Sequence, residues 1–350
     1  VKKILSLAAS TIKLFIIILL FSSNSKAQET NIKYYSDDKG ILSLMYHRFD
    51  ENKYPSTNIQ MDVFRQQIEI IKNLKYNFYD PKDLEKNFTI SKEEKKILIT
   101  IDDAFSSFYE VAWPYLKKEK IPFILFVSTE SVGRNGYMTW DQIKELDKES
   151  KAYIGNHSHT HSYLVDFKKK DFIDDINTSS SIFKENLGYN PIFFSYPFGE
   201  YSLHIKEYIS KNFKFAFGQH SGVIDNNKDR YELPRFPINE KYGDLKRFTF
   251  LINLSPLQYK VLYPNDKYLT NNNPPNLLVE FFDNQKNINN INCFSDEGNE
   301  WKKSNISFVQ NKLKLNFREK FSFRRGRVNC SLNDDGIWRW FGIQFSVKQN

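Results

Sequence analysis

Two short clusters in this 350-residue chain combine side chains suited to holding a metal and moving protons. The first is His157-Ser158-His159-Thr160-His161, directly after an apolar segment that reads as a strand. Three of the chain's six histidines stand here. Imidazole is the commonest side-chain metal ligand, and residues four apart share a face on a helical turn. His157 and His161 therefore form a ligand pair. His159 would point away from them, which suits a supporting role. A solvated His-rich loop is the competing reading. Ser158 stands where a zincin-type protease carries glutamate, which sets that class aside. The second cluster is Thr100-Ile101-Asp102-Asp103, at the end of an apolar run. Adjacent carboxylates repel unless a cation or proton lies between them. One aspartate on a metal with its neighbour as a base is a coherent use. An ordinary Asp-rich turn or a helix N-cap is the alternative. One carboxylate and two imidazoles leave a coordination position open to water, the pattern of catalytic rather than structural sites.

These residues need a scaffold that brings strand ends together. From Ile41 to about residue 250 strands and helices alternate. Strands are expected at 41–47, 96–101, 122–127, 153–156, 192–196 and 215–217. Helices are expected at 62–74, 105–118, 140–147, 169–187 and 204–212, with Pro114 bending the second and Thr139 capping the third. Repeated strand–helix units imply a parallel sheet or barrel, whose active sites gather at strand C-termini. After about residue 250 the pattern changes to short strands between polar turns, with a breaker-rich stretch at Asn271-Asn272-Asn273-Pro274-Pro275. A small antiparallel β domain is expected there. Trp338 and Trp340 alternate along one such strand, so they share a side, and that side is expected to be the domain core. Binding of glycan or a partner through Trp301, Trp338 and Trp340 is the rival reading.

Composition sets outer limits. Hydrophobic residues make up 40% and charged residues 26%, which excludes disorder. Residues 1–27 read as a secretory signal peptide, with Lys2 and Lys3 ahead of an apolar run from Leu14 to Phe21. Small residues Ser25 and Ala27 flank the expected cleavage after Ala27. No later segment reads as a membrane span. Removing four leader lysines leaves 46 basic against 42 acidic residues, too mild an excess to argue for nucleic acid. Export to the periplasm or medium permits a disulfide between Cys293 and Cys330, the only cysteines. Two buried reduced thiols are the alternative.

From about residue 41 to 240 the sequence resembles the polysaccharide deacetylases, the NodB-homology carbohydrate esterases. Thr100-Ile101-Asp102-Asp103 is similar to the family's T-F-D-D motif, which implies Asp102 as general base and Asp103 as metal ligand. His157 to His161 is similar to H-[ST]-x-x-H, implying His157 and His161 as the remaining ligands. Tyr196-Pro197-Phe198-Gly199 resembles the third motif, which lines the substrate groove and offers the Phe198 N–H to an oxyanion. Trp140-Asp141 resembles an aromatic-plus-acid element on the groove wall. Two departures stand out. Ser195 occupies the position of an arginine that orients the base, a role Arg235 could fill from elsewhere. The Leu44-Met45-Tyr46-His47-Arg48 segment comes early, as in the biofilm poly-N-acetylglucosamine deacetylases, where an early histidine is the acid. His220 is the rival to His47.

The resemblance implies a distorted (β/α) barrel, placed over residues 28–250, and the pattern of short strands after about residue 250 gives a β-rich accessory domain over 251–350. It implies an exported hydrolase that removes N-acetyl groups from an N-acetylglucosamine polysaccharide with a divalent metal cofactor, taken to be zinc. O-acetyl ester hydrolysis and a glycan-binding module without catalysis are the alternatives.

Overall fold

The segment Ile41–Tyr46 (β1, ILSLMY) is buried along its whole length, the mark of a strand covered on both faces. It anchors a nine-stranded sheet. The computed structural model describes residues 39–87 and 94–349, so the expected signal peptide lies outside the described residues. The other strands are Asn77–Phe78 (β2), Lys96–Asp102 (β3), Phe123–Val127 (β4), Ala152–Asn156 (β5), Phe193–Ser195 (β6), Phe215–Phe217 (β7), Val223–Ile224 (β8) and Phe236–Pro237 (β9). From β1 the sheet runs through β3, β4, β5 and β6 to β7, all parallel. The earlier half of β1 pairs antiparallel with β8, the later half parallel with β9. Leu233 bridges Phe217 in parallel while Phe236 pairs with Leu44, so residues 233–237 join the two edges. The result is a distorted α/β barrel.

Helices Met61–Asn73 (α1), Trp113–Glu119 (α2), Trp140–Asp147 (α3), Lys169–Leu187 (α4), Leu203–Asn212 (α5) and Leu245–Ile252 (α6) cover the sheet. The helix expected at 105–118 runs unbroken over 106–119, and Pro114 interrupts its regularity as expected, following a π-helical turn at Phe108–Ala112 before α2. Proline has no N–H to bond to the preceding turn, which disturbs the helical ladder ahead of it. Thr139 caps α3 in a reciprocal capping box with Gln142. No described helix is long and apolar enough to cross a membrane.

Two further sheets follow. Ser255–Pro256 (β10), Tyr268–Leu269 (β12), Asn292–Ser295 (β14), Lys302–Lys303 (β15), Arg325–Asp334 (β18) and Ile337–Val347 (β19) form a six-stranded sheet. Val261–Tyr263 (β11), Leu277–Glu280 (β13), Asn305–Val309 (β16) and Lys312–Asn316 (β17) form a four-stranded one. The expected antiparallel pattern holds except at β10 and β12, which pair parallel to β19. Cys293 and Cys330 face one another across β14 and β18 and are bridged. The expectation that Trp338 and Trp340 build this domain's own core is corrected. Trp340 packs against the barrel's core and donates from Nε1 to Ser221 Oγ at 2.8 Å. Trp338 stays 39% exposed, edge-on to Phe250 of α6. The barrel offers these rings apolar surface that the small sheets do not.

Candidate active site

The first cluster sits where β3 ends. Asp102 is the strand's last residue and is fully buried. The chain then turns sharply, with φ of 75° at Asp103 and 55° at Ala104. Left-handed backbone at non-glycine residues is strained, and such strain concentrates at functional sites. The turn aims the two adjacent carboxylates differently.

Asp102 faces Arg235. The guanidinium donates to both of its carboxylate oxygens, at 2.6 and 2.8 Å. Arg235 also donates to Ser195 Oγ at 2.7 Å and to the Gly218 carbonyl at 2.9 Å. Serine at 195 thus leaves room for a guanidinium arriving from the segment just before β9 and accepts a hydrogen bond from it. Burial works to raise the Asp102 carboxyl, but the Arg235 charge above all, with His157 and His47 adding to it only when protonated, outweighs it and holds it below its ordinary range. The group is a carboxylate at neutral pH.

Asp103 faces the histidines. Its Oδ1 lies 3.2 Å from His161 Nε2 and 3.5 Å from His157 Nε2. The three potential ligand atoms lie within 4.8 Å of one another. Burial opposes the Asp103 charge, and His161, His47 and His157 together overcome it, leaving the carboxyl well below its usual range. Burial pushes His157 down to about 4, against the pull of Asp102, so its imidazole is neutral. His157 Nδ1 lies 2.7 Å from the Ser195 carbonyl. Donating there fixes the tautomer and turns the Nε2 lone pair toward Asp103, the arrangement of a metal-ligating imidazole. Asp103 Oδ1 and His157 Nε2 are buried without hydrogen-bond partners. Orphaned buried polar atoms are costly. A carboxylate oxygen and two imidazole nitrogens that converge in this way fit a divalent cation such as zinc.

The segment carrying the histidines is a loop, not the helical turn expected. Ser158 and His161 have φ of 69° and 53°. Asp175, on the buried face of α4, shapes it, accepting from the His159 and Thr160 N–H groups at 2.8 and 3.0 Å and from Thr160 Oγ1 at 2.7 Å. His159 turns its Nδ1 to Thr129 Oγ1, 2.9 Å away, and stands apart from the ligand group. Sequence reasoning missed Asp175. An acid on the apolar face of α4, among Phe172, Ile176 and Phe183, was the available signal.

The third motif forms the turn Pro197–Gly199, with Phe198 at φ 60°. Hydrogen bonds from Gly199 N to the Tyr196 carbonyl and from Glu200 N to that of Pro197 close the turn and leave the Phe198 N–H outside them. Gly199 has φ 69°, and a Cβ there would lie 2.5 Å from Gln219 N, so only glycine fits. The Phe198 ring stacks on Tyr163 at 4.1 Å and meets His161 edge-on at 4.7 Å.

A cavity of about 560 Å³ opens over this centre, lined by His47, Asp103, His161 and Phe198 among others. His220 lines a neighbouring cavity instead. Two expected groove residues stand elsewhere. Tyr196 is fully buried and donates its hydroxyl to the Tyr231 carbonyl at 2.9 Å, because its ring fills a core with Phe194 and Tyr201. Trp140 packs edge-on against Phe183 of α4 at 5.7 Å, joining two helices rather than lining the cavity. Pro197 is buried beneath the turn. Three lining residues that the sequence did not suggest, Arg325, Arg327 and Gln344, come from the C-terminal sheet. Gln344 Nε2 donates to the Phe198 carbonyl at 3.0 Å.

The chain is similar to known proteins in sequence and fold. Residues 89–215 match the polysaccharide deacetylase family. Poly-β-1,6-N-acetyl-D-glucosamine N-deacetylase of Staphylococcus aureus is 27% identical over 237 residues, covering 58% of this chain and 80% of that one. The structure of IcaB from Ammonifex degensii superposes with a TM-score of 0.56 at 26% identity, over 62% of this chain and 98% of that one. The Streptococcus pyogenes deacetylase PplD, at 22% identity and the same TM-score of 0.56 over 61% of this chain and 98% of that one, shares the fold.

Proposed function

We propose that this chain, which carries a polysaccharide deacetylase domain, is an exported N-deacetylase of an N-acetylglucosamine polymer, the β-1,6-linked polymer foremost. The observation that carries the reading is Asp102, a buried carboxylate clamped by Arg235 beside the group Asp103, His157 and His161. A site built only to hold a cation has no use for an oriented base next to it.

Asp103, His157 and His161 would hold the divalent ion, zinc by the chemistry of the donors. When bound, the ion supplies Lewis-acid chemistry, polarising a carbonyl and acidifying water. The chain's own groups do the rest. Asp102 accepts the proton of the attacking water, with Arg235 holding both carboxylate oxygens so that the base cannot rotate away. The Phe198 N–H donates to the oxygen of the acetyl group as negative charge develops there. His47, which lines the same cavity, gives a proton to the nitrogen that leaves. Acetate and a glucosamine unit result. Residues 1–27 would direct export, and Cys293–Cys330 suits an oxidising compartment.

The test is acetate release by the exported chain from poly-β-1,6-N-acetylglucosamine, with and without a chelator and with zinc restored. Release that stops on chelation and returns with zinc supports the reading. Release only from O-acetylated glycans makes the chain an esterase. Binding without release on any glycan makes it a binding module.

A further inference from the structure

A second, smaller cavity of about 270 Å³ lies beside the first, between the barrel and the six-stranded sheet. It shares Gln219, Pro237, Tyr242 and Arg327 with the larger one, so the two adjoin across these side chains. Its walls are aromatic on both sides of the junction: Tyr242 and Phe250 from the barrel, Trp301 and Trp340 from the sheet. Trp301 keeps 41% of its surface exposed. At roughly the lower end of the 300–1,000 Å³ typical of ligand pockets, the space suits one sugar ring rather than an extended segment. Two guanidiniums, Arg247 and Arg327, line it, and no carboxylate does.

Resting on the deacetylase reading, we propose that this cavity is a subsite for the sugar next to the one being deacetylated, and that it takes that neighbour in its N-acetylated form. Aromatic faces offer a sugar's C–H surfaces and an acetyl methyl an apolar seat. The ammonium of a glucosamine unit would meet the Arg247 and Arg327 guanidiniums there, the latter already paired with Asp296 at 2.6 Å, and no carboxylate on the cavity wall to take it. The C-terminal sheet is thus part of the substrate site, and the acetylation state of the neighbouring residue becomes a determinant of which unit is processed.

The experiment measures binding of fully N-acetylated and fully deacetylated β-1,6-glucosamine hexamers to the zinc-loaded full chain by calorimetry, with acetate release followed in parallel. The chain is compared with Trp301→Ala and with Trp338→Ala, whose ring lies outside this cavity. Trp301→Ala should weaken binding of the acetylated hexamer about tenfold, about 1.4 kcal/mol, and raise KM with little change in kcat. Trp338→Ala should match the parent. The deacetylated hexamer should bind the parent at least about tenfold more weakly than the acetylated one, the size of one lost favourable contact. Equal affinity of Trp301→Ala and parent, or equal affinity of the parent for both hexamers, overturns the subsite. Trp301-dependent binding without acetate release from any hexamer keeps the subsite and sinks the deacetylase reading. Release with unaltered KM in Trp301→Ala does the reverse.

Discussion

Asp102 and Arg235 show how much chemistry a single buried pair can set. Because the amide of asparagine cannot accept the water proton, Asp102→Asn should keep stoichiometric zinc and lose turnover by about 10²–10⁴-fold, the usual worth of a general base. Metal analysis alongside acetate release checks both halves. Arg235→Gln leaves a buried carboxylate without its partner, which should cost about 3–5 kcal/mol in a urea titration. It also removes the strongest force lowering the Asp102 carboxyl, so the acidic limb of the rate profile should move to higher pH. His47→Ala should lower kcat by about 10²–10⁴-fold while His220→Ala costs little. The reverse ranking would reassign the acid. The Asp pair and the histidine triplet were legible because each cluster is local in sequence. Arg235 was legible only as the answer to a missing guanidinium at Ser195. Trp140 and Tyr196 deceived because burial in a helix contact or a core leaves no mark on a motif.

Strand ends rather than helices present the chemistry. Asp103, Ser158, His161 and Phe198 all have positive φ just after β3, β5 and β6. Short, mainly apolar runs foretold those strands, although Thr100, Asp102, Asn156 and Ser195 are buried within them. They said nothing of the turns, whose shape is imposed by partners distant in sequence such as Asp175. In the C-terminal sheets β14 is only four residues long, and β10 and β12 two each, too short for periodicity to register. Yet β14 carries Cys293, opposite Cys330 on β18. Closing a loop with a sequence separation of 37 residues should stabilise these strands by roughly 3–4 kcal/mol in the chain-entropy picture. The Cys293→Ala/Cys330→Ala double variant should lose that much in denaturant unfolding. An unchanged midpoint would refute it.

At the scale of the whole molecule, the barrel and the C-terminal sheets meet over the site. Arg324 pairs with Glu200 at 3.1 Å and Asp166 at 2.7 Å, and Trp340 and Gln344 reach across. His220 is packed at this junction, where burial holds it down to about 4 despite the nearby Glu232 charge. An unfolded histidine protonates near ~6.5. Unfolding therefore takes up a proton between those values, and His220 makes stability fall as pH drops from 6.5 toward 4. His220→Gln should flatten that part of the melting-temperature profile, and an unchanged slope would count against it. The strip from Leu233 to Pro237 has a further consequence. It is the join between the barrel's edges, and it also carries the guanidinium that pins the base. Any fluctuation that unzips this join disarms the site while every other strand stays paired. Turnover is then a gauge of ring closure. In rising denaturant it should vanish together with hydrogen-exchange protection of the Leu233 and Arg235 amides, before the far-ultraviolet signal of the helices declines.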